Sequence, residues 1–304
     1  MKILKIENIE KSFGDFKAVN RVSFSVEKGS VFGILGPNGA GKTTTIRMIT
    51  NILMPDKGTI NLFDAPVGPA SQNRIGYLPE ERGLYKKLKV IDQLSYFGEL
   101  KGLKHGDALK KARYWLGKLD AADWENKKIM ELSKGMQQKV QFIATILHSP
   151  DFLILDEPFS GFDPLNAEIL KKIILDFKNE GKTIMLSTHV MEQVEQMCDN
   201  ICLINKGEAL LSGNVREIKS RYSRDTILME YDGDDSFFDG FSNITFHNRT
   251  KNRAEFKVDT ESHSPYHILQ AAIDKCQVFK FELMEPSLNQ IFIDVVTNWE
   301  RKNG

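Results

Sequence analysis

The chain has 304 residues, 41% of them hydrophobic and 27% charged, an ordinary globular composition with length for one large domain and a smaller one. Lysine plus arginine and aspartate plus glutamate number 41 each, so the net charge gives no reason to expect a nucleic-acid partner. No stretch approaches the roughly 20 apolar residues that cross a bilayer, and charges interrupt residues 1–14, so we predict no membrane span and no signal peptide. The three cysteines, an odd number, are typical of a reducing compartment, and we expect buried thiols rather than a metal site.

The N-terminal segment predicts two strands and a helix. Apolar residues alternate with serine over 22–26, which indicates a strand with one buried face. The short apolar segment 30–35 predicts a second strand that ends in a glycine-rich turn. Apolar residues then recur at helical spacing from Ile46 to Leu53, and Pro55 ends the predicted helix.

Residues 86–150 have a mainly helical pattern, and beyond them short apolar strands alternate with helices. The predicted strands are 152–155, 183–187 and 201–204, and the predicted helices are 165–178 and 191–197. This alternation predicts a parallel sheet covered on both faces, with the helical segment 86–150 inserted into it.

The pattern changes near Ser220, where the polar segment 220–225 is interpreted as a linker. Beyond it we predict strands at 227–231, 244–247, 254–258 and 278–283, helices at 265–275 and 286–298, and turns at 232–235 and 248–252. The sequence therefore predicts a domain of residues 1–220, with a helical subdomain at about 86–150, and a small α+β domain of residues 221–304.

A glycine-rich segment follows the strand at 30–35 and matches the pattern GxxxxGK[ST]. Its glycines let successive backbone N–H groups point at phosphate oxygens, the lysine brings a charge to the β- and γ-phosphates, and the threonine can ligate Mg²⁺. The alternative is a simple strand-to-helix turn, and the flanking strand and helix favour phosphate binding. The candidate nucleotide-binding residues here are Gly36, Pro37, Asn38, Gly39, Ala40, Gly41, Lys42, Thr43 and Thr44.

The apolar strand at 152–155 ends in two acidic residues, Asp156 and Glu157. In a phosphate-loop enzyme we expect this strand beside the strand of the loop, with Asp156 holding Mg²⁺ through water. Glu157 is then placed to orient or deprotonate the attacking water. The alternative, a strand followed by a solvated acidic turn, loses weight because the phosphate loop is present.

The segment 132–138 (LSKGMQQ) opens a helix, and alone it indicates an ordinary serine N-cap. However, the loop at 36–43, this segment and the acidic strand after it resemble the ABC ATPase family in order and spacing. The resemblance implies that Ser133 and Gly135 belong to the LSGGQ signature, which contacts the γ-phosphate held by the opposite subunit. Lys134 and Met136 depart from that consensus.

The same resemblance assigns four further positions. Asp163, in the segment 160–163, is similar to the D-loop that couples the two sites of a dimer. His189 is similar to the switch histidine that contacts the γ-phosphate, although alone it would be interpreted as a structural or surface histidine. Phe13 occupies the place of the aromatic residue that stacks on adenine, the alternative being a core phenylalanine. Glu80 stands where the Q-loop has glutamine; a carboxylate there can still ligate Mg²⁺.

The resemblance covers about residues 2–220, and the segments 76–85, 132–138 and 285–292 are similar to bacterial sodium-extrusion and drug-resistance exporters with a small C-terminal domain. It implies an α/β core whose sheet is mostly parallel, with N-terminal antiparallel strands and a helical insertion. The implied function is an ATP- and Mg²⁺-dependent hydrolase that acts as a homodimer on a separately encoded integral membrane permease. Its location would be cytoplasmic, peripheral on the inner face of the membrane, and no nucleic-acid partner is expected.

The alternative is a soluble ABC ATPase that acts on ribosomes or DNA. Such proteins typically carry two ATPase units in one chain or long coiled-coil insertions, whereas this chain has one phosphate loop and no sustained heptad run. The C-terminal domain could stabilise the dimer, sense a signal or be a structural appendage.

Overall fold

The computed structural model describes residues 1–81, 83–222, 226–241, 244–258, 264–284 and 287–303. They divide into two compact units, residues 1–215 and 216–302. Three segments used in the sequence analysis lie partly outside the described residues. They are the predicted linker 220–225 and the segments 76–85 and 285–292, which are similar to those of bacterial exporters.

The first unit contains ten strands and the first six helices among its described residues. The strands are β1 (Lys2–Phe13), β2 (Phe16–Glu27), β3 (Val31–Leu35), β4 (Lys57–Leu62), β5 (Ala65–Pro66), β6 (Ile75–Leu78), β7 (Phe152–Asp156), β8 (Thr183–Thr188), β9 (Asn200–Asn205) and β10 (Glu208–Asn214). The helices are α1 (Lys42–Ile49), α2 (Val90–Leu100), α3 (His105–Lys118), α4 (Lys134–Ile146), α5 (Pro164–Asn179) and α6 (Met191–Met197). A seventh helix, α7 (Val215–Arg221), spans the predicted domain boundary, so the first two residues of the predicted linker are helical.

Two sheets share one apolar core in this unit. The first is antiparallel, in the order β2-β1-β4-β5, and the second has the order β10-β9-β3-β8-β7-β6, with β10 antiparallel and the other strands parallel. Buried residues from both sheets pack with Ile46, Met48 and Ile49 of α1. The predicted parallel sheet with antiparallel N-terminal strands is confirmed, and burial on both faces explains why β3 and β7 are apolar at nearly every position.

One topological expectation is wrong. The acidic strand β7 does not lie beside β3, because β8 pairs with both of them and separates them. The order of parallel strands is set by the crossovers and by packing, which a local pattern does not encode. The segment after β8 consequently lies between the phosphate loop and the acidic pair.

Helix α1 ends at Ile49, four residues earlier than the apolar pattern predicts. Asn51 adopts a left-handed conformation, with φ of 56°. The N–H of Ile52 donates to the carbonyl of Arg47 (2.8 Å) and that of Asn51 to Met48 (3.1 Å), the bond pair of a Schellman ending. Leu53 continues the apolar pattern because it packs against the core from outside the helix.

The predicted helical segment at 86–150 contains α2, α3 and α4, which pack on one another, and α4 also packs against β6. Leu94, Leu116 and Leu119 are buried in this subdomain. None of the helices within the described residues is both long and apolar enough to cross a membrane.

The second unit contains an antiparallel sheet in the order β12-β13-β11-β14. Its elements are β11 (Thr226–Gly233), β12 (Ile244–Thr250), β13 (Arg253–Val258), α8 (Pro265–Ile273), β14 (Cys276–Met284) and α9 (Leu288–Asn303). Tyr231, Phe238 and Phe256 lie in its apolar core. The predicted α+β pattern is confirmed, except that β11 continues to Gly233 and β12 to Thr250, which shortens the predicted turns at 232–235 and 248–252.

Candidate nucleotide site

The site forms where three neighbouring parallel strands end. The order β3-β8-β7 places the loop after β3, the residues after β8 and the acidic pair after β7 at the same edge of the sheet. Carboxyl ends of parallel strands are the usual place for ligands in such sheets. The structure thus brings the loop at 36–43, Glu157 and His189 together at one edge of the sheet.

Close backbone contacts fix the path of the phosphate loop. Gly36 and Gly41 have φ of 150° and 106°, values that residues with a Cβ rarely adopt. A Cβ at Gly36 would lie 2.1 Å from the carbonyl oxygen of Ile204, and one at Gly41 would lie 2.5 Å from that of Ala18. The N–H of Gly207 also donates to the carbonyl of Ala40 (2.9 Å). The path of the loop is therefore fixed by β9, the following turn and β2.

Replacing Gly41 with alanine should damage this loop far more than the same change at Gly39. Both glycines have positive φ, but a Cβ at Gly39 meets nothing within 4 Å, whereas one at Gly41 meets backbone. We expect Gly39→Ala to cost about 1–2 kcal/mol for the left-handed conformation, and Gly41→Ala to lower the melting temperature further and to abolish ATP binding. Thermal denaturation and ATP titration of both variants check this, and equal melting temperatures would contradict it.

Helix α1 begins at Lys42, directly behind the loop. The first N–H groups of a helix have no partner within it, so the start of α1, with Thr43 and Thr44, is a natural anion site. The Lys42 side chain is only 7% exposed, and its Nζ donates to the carbonyl oxygens of Gly36 (2.8 Å) and Pro37 (3.2 Å). These bonds hold the ammonium group against the loop, where it can meet phosphate.

Asp156 is completely buried at the end of β7. One carboxylate oxygen, Oδ1, accepts a short hydrogen bond from the Ser187 hydroxyl, whereas Oδ2 is buried with no hydrogen-bond partner among the described residues. The pKa of Tyr77 is raised to about 12, mainly by burial of its side chain and then by the negative charge of Asp156. A buried carboxylate oxygen without a partner is costly unless a cation or water satisfies it, so this donor set fits Mg²⁺.

Glu157 connects the acidic strand to the other two loops. Its Oε1 lies 2.9 Å from Nδ1 of His189 and 3.8 Å from Nζ of Lys42. The Glu157 side chain is 11% exposed and that of His189 is 56% exposed, so the carboxylate is enclosed while the imidazole faces outward. In this arrangement the Glu157 carboxylate can hold a water beside a bound phosphate, and the His189 imidazole can contact that phosphate.

The signature segment adjoins the D-loop segment. Ser133 caps α4, and its Oγ accepts from the N–H of Met136 (3.3 Å), so the simple N-cap interpretation is also correct. A Cβ at Gly135 would lie 3.7 Å from the carbonyl oxygen of Gly161. Asp163 caps α5 by accepting from the N–H of Asn166 (3.0 Å), and this bond lowers the pKa of the aspartate.

Two peripheral candidates lie on exposed positions. Phe13 is 49% exposed at the end of β1, which rules out the core interpretation and leaves its ring available for stacking. It pairs with Phe16 of β2, the strand that contacts the phosphate loop through Ala18. Glu80 is exposed in the loop after β6; its charge, like that of Asp156, acts on Tyr77.

Sequence reasoning missed Ser187, the residue that contacts both acids. It is fully buried in β8 and lies opposite Asp156 in the strand register. The available signal was a serine that interrupts the apolar segment of β8 just before His189.

Comparisons with known proteins point to one family. Residues 19–160 match the ABC transporter family model, and residues 213–296 match the C-terminal domain of DrrA1-3-like ATP-binding proteins. The uncharacterized ABC transporter ATP-binding protein YhaQ of Bacillus subtilis is 44% identical over 97% of this chain and 98% of its own length. The linearmycin resistance ATP-binding protein LnrL of the same organism is 31% identical, over 96% and 98%.

Solved structures agree on the fold. An ATP-binding subunit of an ABC transporter superposes with a TM-score of 0.68 and 28% identity, covering 72% of this chain and 92% of that one. Both the motif order and the long alignments therefore give the same answer: the chain belongs to the ATP-binding subunits of ABC transporters and is a nucleotide-binding ATP hydrolase of that family.

Proposed function

We propose that the site at the ends of β3, β7 and β8 hydrolyses ATP with Mg²⁺. This hydrolysis drives a separate membrane permease that exports its substrate. The observation that supports this proposal is that Lys42 and His189, two groups of distinct chemistry, both lie within 4 Å of Oε1 of Glu157. Lys42 and the start of α1 bind the phosphates. Glu157 orients and deprotonates the attacking water, and His189 contacts the γ-phosphate.

The metal is proposed to lie beside Asp156, with Thr43 and Glu80 as the other candidate ligands. When bound, Mg²⁺ neutralises charge on the β- and γ-phosphates. The unpartnered Oδ2 of Asp156 supports this assignment. Phe13 is proposed to stack on adenine, because its exposed ring lies on the hairpin that borders the loop.

Two copies of the chain are proposed to form a head-to-tail homodimer. In each copy Ser133 and Gly135 lie at the start of α4 beside the D-loop, where their hydroxyl and N–H can face a second molecule. Each ATP then lies between Lys42 of one copy and Ser133 of the other. Closure is favoured because ATP makes contacts in the closed dimer that it cannot make in the open one.

The membrane partner is proposed to dock on an apolar groove beside the Q-loop segment. A cavity of about 340 Å³ lies between the end of α1, the loop after β6, α2 and α4. Its lining includes Ile52, Leu84, Phe97 and Leu100, of which Leu100 is 60% exposed. An apolar cavity rimmed by polar residues is typical of a binding groove for a partner helix.

Two buried hydrogen-bond acceptors lie beneath this groove. Burial lowers the pKa of His148 to about 4, and its Nε2 donates to the carbonyl of Ile75 (3.0 Å), so Nδ1 is left as an acceptor. Gln141 donates through Nε2 to the carbonyls of Pro79 and Glu81. Within the described residues, His148 Nδ1 and Gln141 Oε1 are both buried without a partner.

Affinity purification of the tagged chain from native membranes in mild detergent tests the proposal. We expect a multi-span membrane protein at near-equal stoichiometry, and Leu100→Arg should recover less than about a tenth of it, because a charge cannot be buried in the groove without a large cost. Tyr114→Arg is the matched control, since Tyr114 is 62% exposed on α3 and does not line the groove. Recovery of ribosomes or DNA-binding proteins instead of a membrane protein would refute the permease partner.

Outward transport and a location on the inner face of the membrane complete the proposal. They are supported by the similarity to LnrL, which is named a linearmycin resistance ATP-binding protein and aligns over both units of this chain. The second unit, which matches the DrrA1-3-like C-terminal domain, is proposed to be a separate domain. Accumulation assays in inverted vesicles that contain the recovered permease check the direction.

A further inference from the structure

Ser187 makes two hydrogen bonds that join β8 to the acidic end of β7. Its hydroxyl donates to Oδ1 of Asp156 and accepts from the N–H of Glu157 (3.1 Å). The carbonyl of Ser187 accepts from the same N–H at 3.2 Å. One fully buried residue therefore contacts both acids of the site.

The bond to Asp156 fixes how its carboxylate presents its oxygens. A serine hydroxyl has one proton, and here that proton is directed to Oδ1. This leaves Oδ2 as the oxygen without a partner among the described residues. When a hydrogen bond from a neighbouring residue holds one oxygen of a metal-binding carboxylate, the other oxygen points in a fixed direction. The metal then binds a carboxylate whose orientation is already set.

The bonds to Glu157 stabilise an unfavourable backbone conformation. Glu157 has φ of 48°, in the left-handed region that costs energy for residues with a Cβ. Its N–H is held by both the carbonyl and the hydroxyl of Ser187, so the turn that directs its carboxylate toward Lys42 and His189 is anchored to β8.

We propose that Ser187 is a positioning residue that orients Asp156 for Mg²⁺ and Glu157 for the attacking water. This inference rests on the proposed function, because it assumes that Asp156 holds the metal. It concerns a residue to which the sequence analysis assigned no role. It predicts that loss of the hydroxyl weakens the response to Mg²⁺ more than it weakens nucleotide binding itself.

Titrations of the purified full chain with a fluorescent ATP analogue test this, first in EDTA and then with increasing Mg²⁺. For Ser187→Ala we expect affinity in EDTA within about twofold of wild type, and a Mg²⁺ midpoint raised by about tenfold or more, the usual effect of removing an outer-shell partner. The maximal ATPase rate at saturating Mg²⁺ should also fall. Ser187→Thr keeps the hydroxyl and should restore the wild-type midpoint.

Thr183→Val is the matched control, because Thr183 is also fully buried in β8 and its hydroxyl accepts from the N–H of Gly29 (2.9 Å) at the far end of the strand. It should leave the Mg²⁺ midpoint unchanged. A wild-type midpoint in Ser187→Ala, or an equal loss of affinity with and without Mg²⁺, would overturn the role of Ser187 alone. A wild-type chain that does not respond to Mg²⁺ would remove the proposed metal site and this role together.

Discussion

Glu157→Gln should bind ATP as tightly as the wild type and hydrolyse it at least about a hundredfold more slowly, the loss expected when a positioned general base is removed. The substitution preserves the shape of a side chain that is 11% exposed, and an amide can still accept a hydrogen bond at the place where Oε1 lies 2.9 Å from His189. What it loses is the ability to take a proton from water. The repulsion between carboxylate and phosphate also disappears, so affinity should not fall.

Steady-state ATPase assays and equilibrium binding of a fluorescent ATP analogue check the two halves of this prediction separately. Glu168→Gln is the matched control, because Glu168 is an exposed carboxylate on α5 that pairs with Lys171 outside the site. Its turnover should equal that of the wild type. If Glu157→Gln hydrolysed ATP at a near wild-type rate, Glu157 would not be the base.

The sequence was sufficient for the site wherever a motif is continuous along the chain. The phosphate loop, for example, needs its glycines because of backbone contacts, and the structure shows these contacts at Gly36 and Gly41. Strands β3, β7, β8 and β9 were predicted within a residue or two, because burial on both faces makes their central positions apolar, whereas β6 and β10 of the same sheet were not predicted. Motifs and apolar runs of this kind can be recognised from residues that are adjacent in the sequence.

Features that depend on distant residues were missed. Strand β1 was not predicted, because bulges in its pairing with β2 shift the phase, so Ile3 and Leu4 are both buried and the alternation is broken. The position of β8 between β3 and β7 follows from crossovers, not from local pattern. Ser187 was missed for the same reason, since its importance comes from its register opposite Asp156.

The phosphate loop also shows how one residue can serve the fold and the site. The Lys42 ammonium donates to the carbonyls of Gly36 and Pro37, so a nearly buried charge is tolerated. Glu157 lies within 3.8 Å and adds an opposite charge. ATP therefore competes for a lysine that is already positioned, and the loop needs little rearrangement to bind it.

Lys42→Ala should consequently lose ATP affinity by about a hundredfold or more. Charge-assisted hydrogen bonds contribute about 1.5–3 kcal/mol each, and about 1.4 kcal/mol corresponds to a factor of ten, so loss of two such bonds to phosphate suffices. The variant should still fold, because alanine fits the start of a helix and the lost bonds lie within one loop. Equilibrium binding of a fluorescent ATP analogue, with thermal denaturation as the measure of folding, checks this expectation.

Lys101→Ala is the matched control for this experiment. Lys101 is a partly buried lysine whose Nζ also donates to two carbonyls, those of Gln72 (2.7 Å) and Ile75 (3.3 Å), outside the phosphate loop. Its removal costs two bonds of the same kind, so any effect of losing a buried lysine on stability should appear in both variants, whereas only Lys42→Ala should lose ATP. Tight ATP binding by Lys42→Ala would show that the backbone N–H groups of the loop and the start of α1 bind the phosphates without the lysine.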